Sequence, residues 1–150
     1  LGQRDRFPRM VLMLQNEVVD RLVAKPGGSD YGVLSVMAQY AAVMTKAFRV
    51  SAQCFRPRPD VGSAVVLLRA KDRTRLNHEE EAAFRALVKA AFAHRRKTLV
   101  NSLRDEGYAP HPLGETLQQL DIAPTRRAET LSVEEFIQLA LGVARAQETI

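Results

Sequence analysis

The sequence predicts the end of an α/β sheet domain followed by a small all-helical domain. Residues 10–14 form a continuous apolar run that passes directly into a segment of helical periodicity, which is the strand-then-helix order of an α/β sheet. A second apolar run, residues 64–68, is apolar on both faces, as in a buried strand. From residue 79 onward the apolar residues recur at helical spacing, which indicates an all-α unit.

The first strand and the first helix are predicted from continuous and periodic apolar residues. We interpret residues 10–14 as a buried strand because every side chain in the run is apolar. The Pro-Gly-Gly sequence at residues 26–28 ends the helix predicted at residues 17–24. The apolar face of that helix consists of Val18, Val19, Leu22 and Val23.

A second helix and two further strands complete the predicted sheet part. The second helix is expected at residues 34–44, with an apolar side formed by Leu34, Met37, Ala38, Ala41 and Met44. Strands are expected at residues 47–50 and 64–68. Because their connection is short and contains no helix, we expect an antiparallel pair at one edge of a sheet. So few strands do not make a stable open sheet by themselves.

The second domain is predicted to be helical throughout. Residues 71–77 are polar and charged, so we place the boundary there and divide the chain into residues 1–71 and 72–150. Helices are expected at residues 79–93, 95–103 and 113–120, with loops at 108–112 and 122–130. Ser132 and Glu135 have the spacing of a capping box, which predicts that a last helix begins at residue 133 and continues to about residue 146.

The composition favours a polyanionic partner and excludes several classes of protein. The 150 residues carry a net charge of +5, and the calculated pI is about 9.8, which suits nucleic acid. No apolar run is long enough to span a membrane. Cys54 is the one cysteine, so no internal disulfide can form, and a lone thiol fits the reducing cytoplasm. No heptad or exposed apolar stripe indicates oligomerisation, so we expect a monomer.

The sequence by itself contains no complete active site. It has no glycine-rich dinucleotide turn and no phosphate-binding Walker loop. His78, His94 and His111 lack metal-ligand spacing with one another or with Cys54, so we expect no metal site. Leu1 is not a methionine, and the chain begins within what looks like a helix end or loop, so we expect that residues are missing upstream.

Phe55 is the candidate chemical residue. It opens the sequence Phe-x-Pro-x-Pro-x-Val at residues 55–61, in which alternating prolines fix φ and make the segment stiff. A rigidly held phenyl ring can stack on a flipped base. The alternative is that Phe55 is a core residue, and the residues alone favour that alternative because most aromatic side chains are buried.

Clustered basic residues are candidate RNA contacts. Arg56 and Arg58 flank a proline beside Phe55, so phosphate contact is more plausible there than at the other clusters. Arg95, Arg96 and Lys97 are consecutive and are expected to begin a helix, whereas Arg126 and Arg127 are adjacent in a predicted loop. Such residues could bind phosphates or could form an ordinary solvated face, and the sequence leaves both interpretations open.

Five sequence blocks together resemble the ribosomal RNA adenine N6,N6-dimethyltransferases. They occupy residues 13–24, 31–40, 55–66, 92–103 and 127–136 in that order, and the resemblance extends over about residues 10–141. The Phe-x-Pro-x-Pro-x-Val block is also shared with the macrolide-resistance rRNA methyltransferases. The Leu-Ser-Val-Met-Ala-Gln-Tyr block at residues 34–40 and the C-terminal helices are typical of the small-subunit enzyme.

The resemblance implies a fold and an activity. It implies the C-terminal part of a Rossmann-like domain that binds S-adenosylmethionine, followed by a helical domain that engages rRNA. The family's product is two neighbouring dimethyladenosines near the 3′ end of 16S rRNA, made during small-subunit biogenesis, and Phe55 would stack on the target adenine. The family's donor loop, acidic ribose-binding residue and Asn-Leu-Pro-Tyr motif have no counterpart in this sequence.

We therefore expect the chain to be catalytically incomplete by itself. The alternatives are a non-enzymatic RNA- or ribosome-binding module and a plain helical interaction domain. Donor binding distinguishes the enzyme part from the binding module, and salt-dependent RNA binding distinguishes the binding module from the interaction domain.

Overall fold

A computed structural model describes residues 7–71 and 76–148, with three strands and six α-helices in these ranges. The polar boundary segment predicted at residues 71–77 lies partly outside the described residues. The strands are β1 (Arg9–Gln15), β2 (Ala42–Val50) and β3 (Ser63–Ala70). The helices are α1 (Asn16–Val23), α2 (Val33–Ala41), α3 (His78–Phe92), α4 (Leu99–Asp105), α5 (Pro110–Gln119) and α6 (Val133–Glu148).

The three strands form one antiparallel sheet in the order β1-β3-β2. The predicted antiparallel pairing of the second and third strands is confirmed, and Val50 opposite Ser63 is its last pair before the connecting loop. β2 is an edge strand of this sheet, whereas β3 is central because β1 pairs with its other side. Ala64, Val66 and Leu68 of β3 point to the buried face, as the two-residue period of a strand requires.

The prediction that residues 10–14 are buried is wrong. They lie within β1, but Val11 is 67% exposed and Met13 is 52% exposed. Side chains alternate between the faces of a strand, and only the face with Met10 and Leu14 packs against the helices. A uniformly apolar run therefore does not show how many faces of its strand are covered.

The predicted second helix is too long at its C-terminal end. α2 ends at Ala41, and residues 42–44 begin β2, which extends well before the predicted start at residue 47. Ala42 and Met44 pair with Ala70 and Leu68 of β3. Helical periodicity was a correct local signal up to Ala41, but strand pairing with residues far along the chain determines the structure beyond it.

Two clusters of buried side chains share α2. The smaller cluster joins one face of the sheet to α1 and includes Val19 and Ala38. The larger cluster joins α3 to α6 and also includes Tyr31, Val36 and Tyr40 from the first part of the chain. The division at residue 71 remains a prediction, since α2 packs into both clusters.

Three of the described helices after residue 76, namely α3, α4 and α6, begin at a residue whose side chain caps the helix. Asn77 and Glu80 form reciprocal hydrogen bonds at the start of α3, and Ser132 and Glu135 form the predicted capping box of α6. α5 begins at Pro110, within the predicted loop, because proline is tolerated in the first turn of a helix. None of the described helices is both long and apolar enough to cross a membrane.

Candidate nucleic-acid interface

Phe55 lies in the loop of residues 51–62 that connects β2 to β3. A short 3-10 turn, Ala52–Cys54, precedes it, and the Phe55 N–H donates to the Ala52 carbonyl at 3.3 Å. The side chain is half-buried, and neither cluster of buried side chains among the described residues includes it. The structure therefore does not place Phe55 in the core, which was the alternative interpretation of the sequence.

The residues that follow Phe55 in the loop are exposed, and two of them are basic. Arg56 and Arg58 are exposed, and so are the two prolines that follow them. The peptide bond between Arg56 and Pro57 is cis. Asp60 is the acidic residue of the loop, so the loop contains two guanidinium groups and one carboxylate. The loop thus presents a flat aromatic side chain with a net positive charge beside it.

Three other loops, distant in sequence, are held together by hydrogen bonds. The Gly27 N–H donates to the Glu129 carbonyl at 2.7 Å, which joins the α1–α2 loop to the loop before α6. The Leu99 N–H donates to the Arg126 carbonyl at 2.8 Å, which joins the start of α4 to that same loop. Arg95 Nη2 donates to the Ser29 carbonyl at 3.3 Å, which joins the turn between α3 and α4 to the α1–α2 loop. We call residues 24–32, 93–98 and 123–130 the three-loop surface.

An open cavity lies between the α1–α2 loop and the end of α3, and two arginines are among the residues that line it. The cavity has a volume of about 340 Å³. Its lining includes the side chains of Arg21, Asp30, Phe92 and Arg95. Lys25, Arg96 and Arg127 are exposed on the same three loops. Phosphate groups of a nucleic acid suit such a surface because guanidinium groups donate paired hydrogen bonds to them.

Two of the predicted RNA contacts are engaged within the protein. Arg126 Nη1 lies 2.5 Å from Glu135 Oε1, and Arg126 Nη2 donates to the Thr130 carbonyl at 2.7 Å. The hydrogen bond from Arg126 holds the pKa of the Glu135 carboxyl below its usual range. Lys97 Nζ pairs with Asp105, and this hydrogen bond lowers the pKa of the Asp105 carboxyl. Arg126 and Lys97 therefore hold the three-loop surface in place.

Arg95, Arg96 and Lys97 do not begin a helix, contrary to the prediction. They lie in the turn between α3 and α4, and Thr98 caps α4 by accepting from the Asn101 N–H at 3.4 Å. A turn lets consecutive side chains point in different directions. Arg95 reaches the α1–α2 loop, whereas Lys97 reaches the end of α4.

The sequence indicated neither Lys25 as a member of this surface nor Arg21 as a residue of the cavity beside it. Arg21 looked like an ordinary polar residue of an amphipathic helix, and its guanidinium pairs with Glu17 one turn earlier. No local pattern connects Arg21 of α1 to Arg95, because the two line one cavity only through the contact of Arg95 with the α1–α2 loop. The aromatic wall of the cavity arises in the same way, since the rings of Tyr31 and Phe92 meet edge to face at 6.3 Å.

The strands of the described residues differ from those that hold a nucleotide-type methyl donor. Such donors bind beyond the carboxyl ends of parallel strands, beside a glycine-rich turn, whereas the strands of residues 7–71 pair only antiparallel. No group of three metal-ligating side chains exists within the described ranges.

Tyr31 is buried, which raises its pKa to about 12 and keeps its phenol neutral.

Solved structures with the same arrangement of sheet and helices are methyltransferases. A dimethyladenosine transferase from Plasmodium falciparum matches 97% of this chain and 60% of its own, with a TM-score of 0.84 and 23% identity. The 23S rRNA methyltransferase ErmE matches 91% of this chain and 55% of its own, with a TM-score of 0.63 and 18% identity. At these identities the likeness is one of fold, and the fold is that of part of a methyltransferase.

Sequence comparison narrows this class to one family. Residues 2–144 match the family described as Ribosomal RNA adenine dimethylase. Ribosomal RNA small subunit methyltransferase A of Desulfitobacterium hafniense is 49% identical over 137 residues, which are 91% of this chain and 49% of that protein. Its namesake in Syntrophotalea carbinolica is 47% identical over 140 residues, which are 93% and 53% of the two chains. The chain belongs to the ribosomal RNA adenine dimethylase family and spans about half the length of these curated relatives.

Proposed function

We propose that this chain is the base-presenting and RNA-binding part of an S-adenosylmethionine-dependent rRNA dimethyltransferase. Its substrate would be two adjacent adenosines near the 3′ end of 16S rRNA, modified in the cytoplasm during assembly of the small ribosomal subunit. The observation that carries the proposal is the position of Phe55. In a chain of this family, that ring stands outside both buried clusters at the start of the Phe-x-Pro-x-Pro motif.

The role of Phe55 is to hold the plane of the target base. The adenine amino group is a poor nucleophile because its lone pair is delocalised into the ring, so methyl transfer depends on orientation. An enzyme that modifies a base takes it out of its stack, and stacking on an aromatic ring offsets ~1–3 kcal/mol of that cost. Arg56 and Arg58 lie beside the ring and suit the phosphates that flank an extruded nucleotide.

The three-loop surface provides further contacts to the phosphates of the RNA. Its exposed cations are Arg95, Arg96 and Arg127, to which the structure adds Lys25, and Arg21 lines the cavity beside it. Phosphate contacts of this kind give affinity without sequence preference and make binding depend on salt. Lys97 and Arg126, which the sequence also proposed as contacts, act here through Asp105 and Glu135, since each cation pairs with one of these carboxylates.

Donor binding and the Asn-Leu-Pro-Tyr motif are proposed to belong to the part of the relatives that this chain does not span. The uncovered face of the sheet supports this division, because Val11, Met13, Val43 and Phe48 are all more than half exposed on it. An apolar sheet face of this kind suits further polypeptide. We accordingly expect this chain to transfer no methyl group alone. The exposed apolar face removes the ground on which the sequence predicted a monomer.

A second candidate function is a non-enzymatic RNA- or ribosome-binding module. The observation that favours it is the three-loop surface itself, which is assembled entirely from the described residues and needs no donor site. Both functions share the RNA-binding surface, and they differ in whether Phe55 engages a base.

Titration of the chain with a hairpin copied from the 3′ end of 16S rRNA tests the proposal. We expect anisotropy to show binding that weakens with salt, and Arg96→Glu to weaken it about tenfold at low salt while reducing the slope of log K against log salt by about 1. Arg85→Glu is the matched control, because Arg85 is exposed on α3 and belongs to none of the three loops. Equal losses for the two variants would show that only overall charge matters.

The same hairpin with 2-aminopurine at the target adenosine tests the base platform. The emission of 2-aminopurine responds to stacking, so Phe55→Ala should reduce the emission change at saturating RNA by at least half, with affinity changed less than threefold. Unchanged emission in Phe55→Ala, together with salt-dependent binding, would favour the binding module.

A further inference from the structure

The loop that carries Phe55 is held differently at its two ends. At its start, Ser51 Oγ accepts from the Gln53 N–H at 3.3 Å within the loop itself. At its end, Gly62 lies against the junction of β1 and α1, where the Asn16 N–H donates to the Gly62 carbonyl at 3.0 Å. Among the hydrogen bonds described for residues 51–62, this backbone hydrogen bond joins the C-terminal end of the loop to another element, and the N-terminal end has no equivalent.

Gly62 has no room for a side chain. A Cβ atom at this position would lie 2.8 Å from Asn16 Nδ2 and 3.3 Å from the Val50 carbonyl oxygen. The backbone of Gly62 is not in the left-handed region, so the position requires space rather than a special conformation. Asn16 can turn away, but the Val50 carbonyl belongs to the end of β2. An added Cβ would therefore move the end of the loop unless Asn16 gives way.

The side chain of Asn16 is confined at this contact. Its Oδ1 is buried and has no hydrogen-bond partner among the described residues. A buried acceptor without a donor costs free energy, so hydrogen bonding of Oδ1 does not explain the position of this side chain. The packing of the Asn16 side chain against Gly62 explains its position. The same packing sets how closely the loop approaches α1.

We propose that Asn16 and Gly62 are positioning residues for Phe55. Their contact fixes the C-terminal end of the loop of residues 51–62 and thereby sets where the phenyl ring meets the target base. This role rests on the proposed function of Phe55 as a base platform. Neither residue needs to touch RNA, because both act through the backbone of the loop.

Cys54 allows the contact to be tested without RNA. It is the one cysteine of the chain, it is exposed, and it precedes Phe55, so a trifluoromethyl label on its thiol reports the loop by fluorine NMR. Gly62→Ala should shift or broaden the resonance, and Asn16→Ala/Gly62→Ala should return it toward that of the unchanged chain. Asn16→Ala alone should broaden the resonance, because the packing against Gly62 is lost although the backbone hydrogen bond remains. Gly114→Ala is the matched control, since a Cβ there meets nothing within 4 Å.

The 2-aminopurine hairpin then tests the consequence for the base. Gly62→Ala should reduce the emission change at saturating RNA at least twofold while affinity stays within twofold, because the three-loop surface is untouched. The double variant should restore the emission change. The proposal is overturned if Gly62→Ala leaves both the resonance and the emission unchanged, or if the double variant is as impaired as the single one.

Failure of the base platform gives a different result. If Phe55→Ala leaves the emission unchanged, the proposed function of Phe55 is overturned and the positioning role with it. The Cys54 resonance still shows in that case whether the contact of Asn16 with Gly62 orders the loop. The fluorine resonance of the label on Cys54 therefore tests the contact of Asn16 with Gly62. The 2-aminopurine emission with Phe55→Ala tests the base platform, so the two proposals can fail separately.

Discussion

Arg126 and Arg127 are neighbours in sequence, but their side chains have different surroundings. Arg126 lies between Glu135 and the Thr130 carbonyl, whereas Arg127 is exposed. The sequence assigned both the same candidate role because a loop gives no periodicity that separates inward from outward positions. The capping box of α6 distinguishes them, since Glu135 both caps the helix and accepts from Arg126.

The ion pair of Arg126 and Glu135 should make stability depend on pH. The pKa of Glu135 is lower in the folded chain than in the unfolded chain, chiefly through its hydrogen bond from Arg126. The stabilisation is therefore present above the unfolded pKa of ~4.3 and is lost as the pH falls through the lower, folded pKa. Arg126→Ala should lower the free energy of unfolding by roughly 1–2 kcal/mol at pH 7, and by less near pH 3.

Urea unfolding followed by circular dichroism at several pH values measures this effect. Arg127→Ala is the matched control and should change stability by less than ~0.5 kcal/mol, because surface substitutions away from special contacts have small effects. A loss for Arg126→Ala that is the same at pH 3 and pH 7 would show that Glu135 is not the partner that matters.

α5 and α6 pack closely at one small residue. A Cβ atom added to Gly142 of α6 would lie 2.3 Å from Cγ2 of Thr116. Thr116 is buried in α5, where its hydroxyl donates to the Pro112 carbonyl at 2.8 Å. Glycine in a helix interior is usually unfavourable, so its presence here indicates that the approach of the two helices requires it.

Gly142→Ala should therefore destabilise the chain despite the higher helix propensity of alanine. We expect a net loss of roughly 1–3 kcal/mol from overpacking. Thr116→Ser in the same chain should recover part of the loss, because it removes Cγ2 and keeps the hydroxyl. Gly114→Ala in α5 has free space and should instead stabilise the chain by up to ~1 kcal/mol. Thermal unfolding compares the three variants with the unchanged chain, and equal behaviour at positions 114 and 142 would contradict the close approach.

At the scale of the whole molecule, α2 connects the sheet to the helical part. Val36 and Tyr40 lie in the larger cluster, whereas Ala38 lies in the cluster under the sheet. Gln39 adds hydrogen bonds from its amide to the carbonyls of Leu22 and Ala24. A helix that packs on both sides couples the position of the Phe55 loop to that of the three-loop surface.

This coupling predicts that the two parts unfold together. Val36 is fully buried, so Val36→Ala should cost roughly 1–3 kcal/mol and should weaken amide protection in β3 and α6 alike. Hydrogen exchange measured by mass spectrometry in low urea compares the two elements directly. Loss of protection in α6 alone would show that the parts are independent units divided near residue 71.

The sequence alone determined the features that depend on residues close together in the chain. The start of α6 follows from Ser132 and Glu135, which lie within one helical turn. The family follows from blocks of fixed spacing, whereas the role of Phe55 as a base platform, which the resemblance to that family implied, stays a prediction. The helices α1 and α3 were likewise predicted within one residue at each end, because their apolar residues recur at helical spacing.

Only the tertiary structure decided the features that depend on contacts between distant residues. The end of α2 at Ala41 and the exposure of Val11 are set by strand pairing and by which sheet face the helices cover. The union of Lys25, Arg95 and Arg127 in one surface depends on hydrogen bonds between loops that are far apart in the chain. Periodicity and capping act over a few residues, whereas the meeting of these loops is fixed by the packing of all the helices between them, which no short segment encodes.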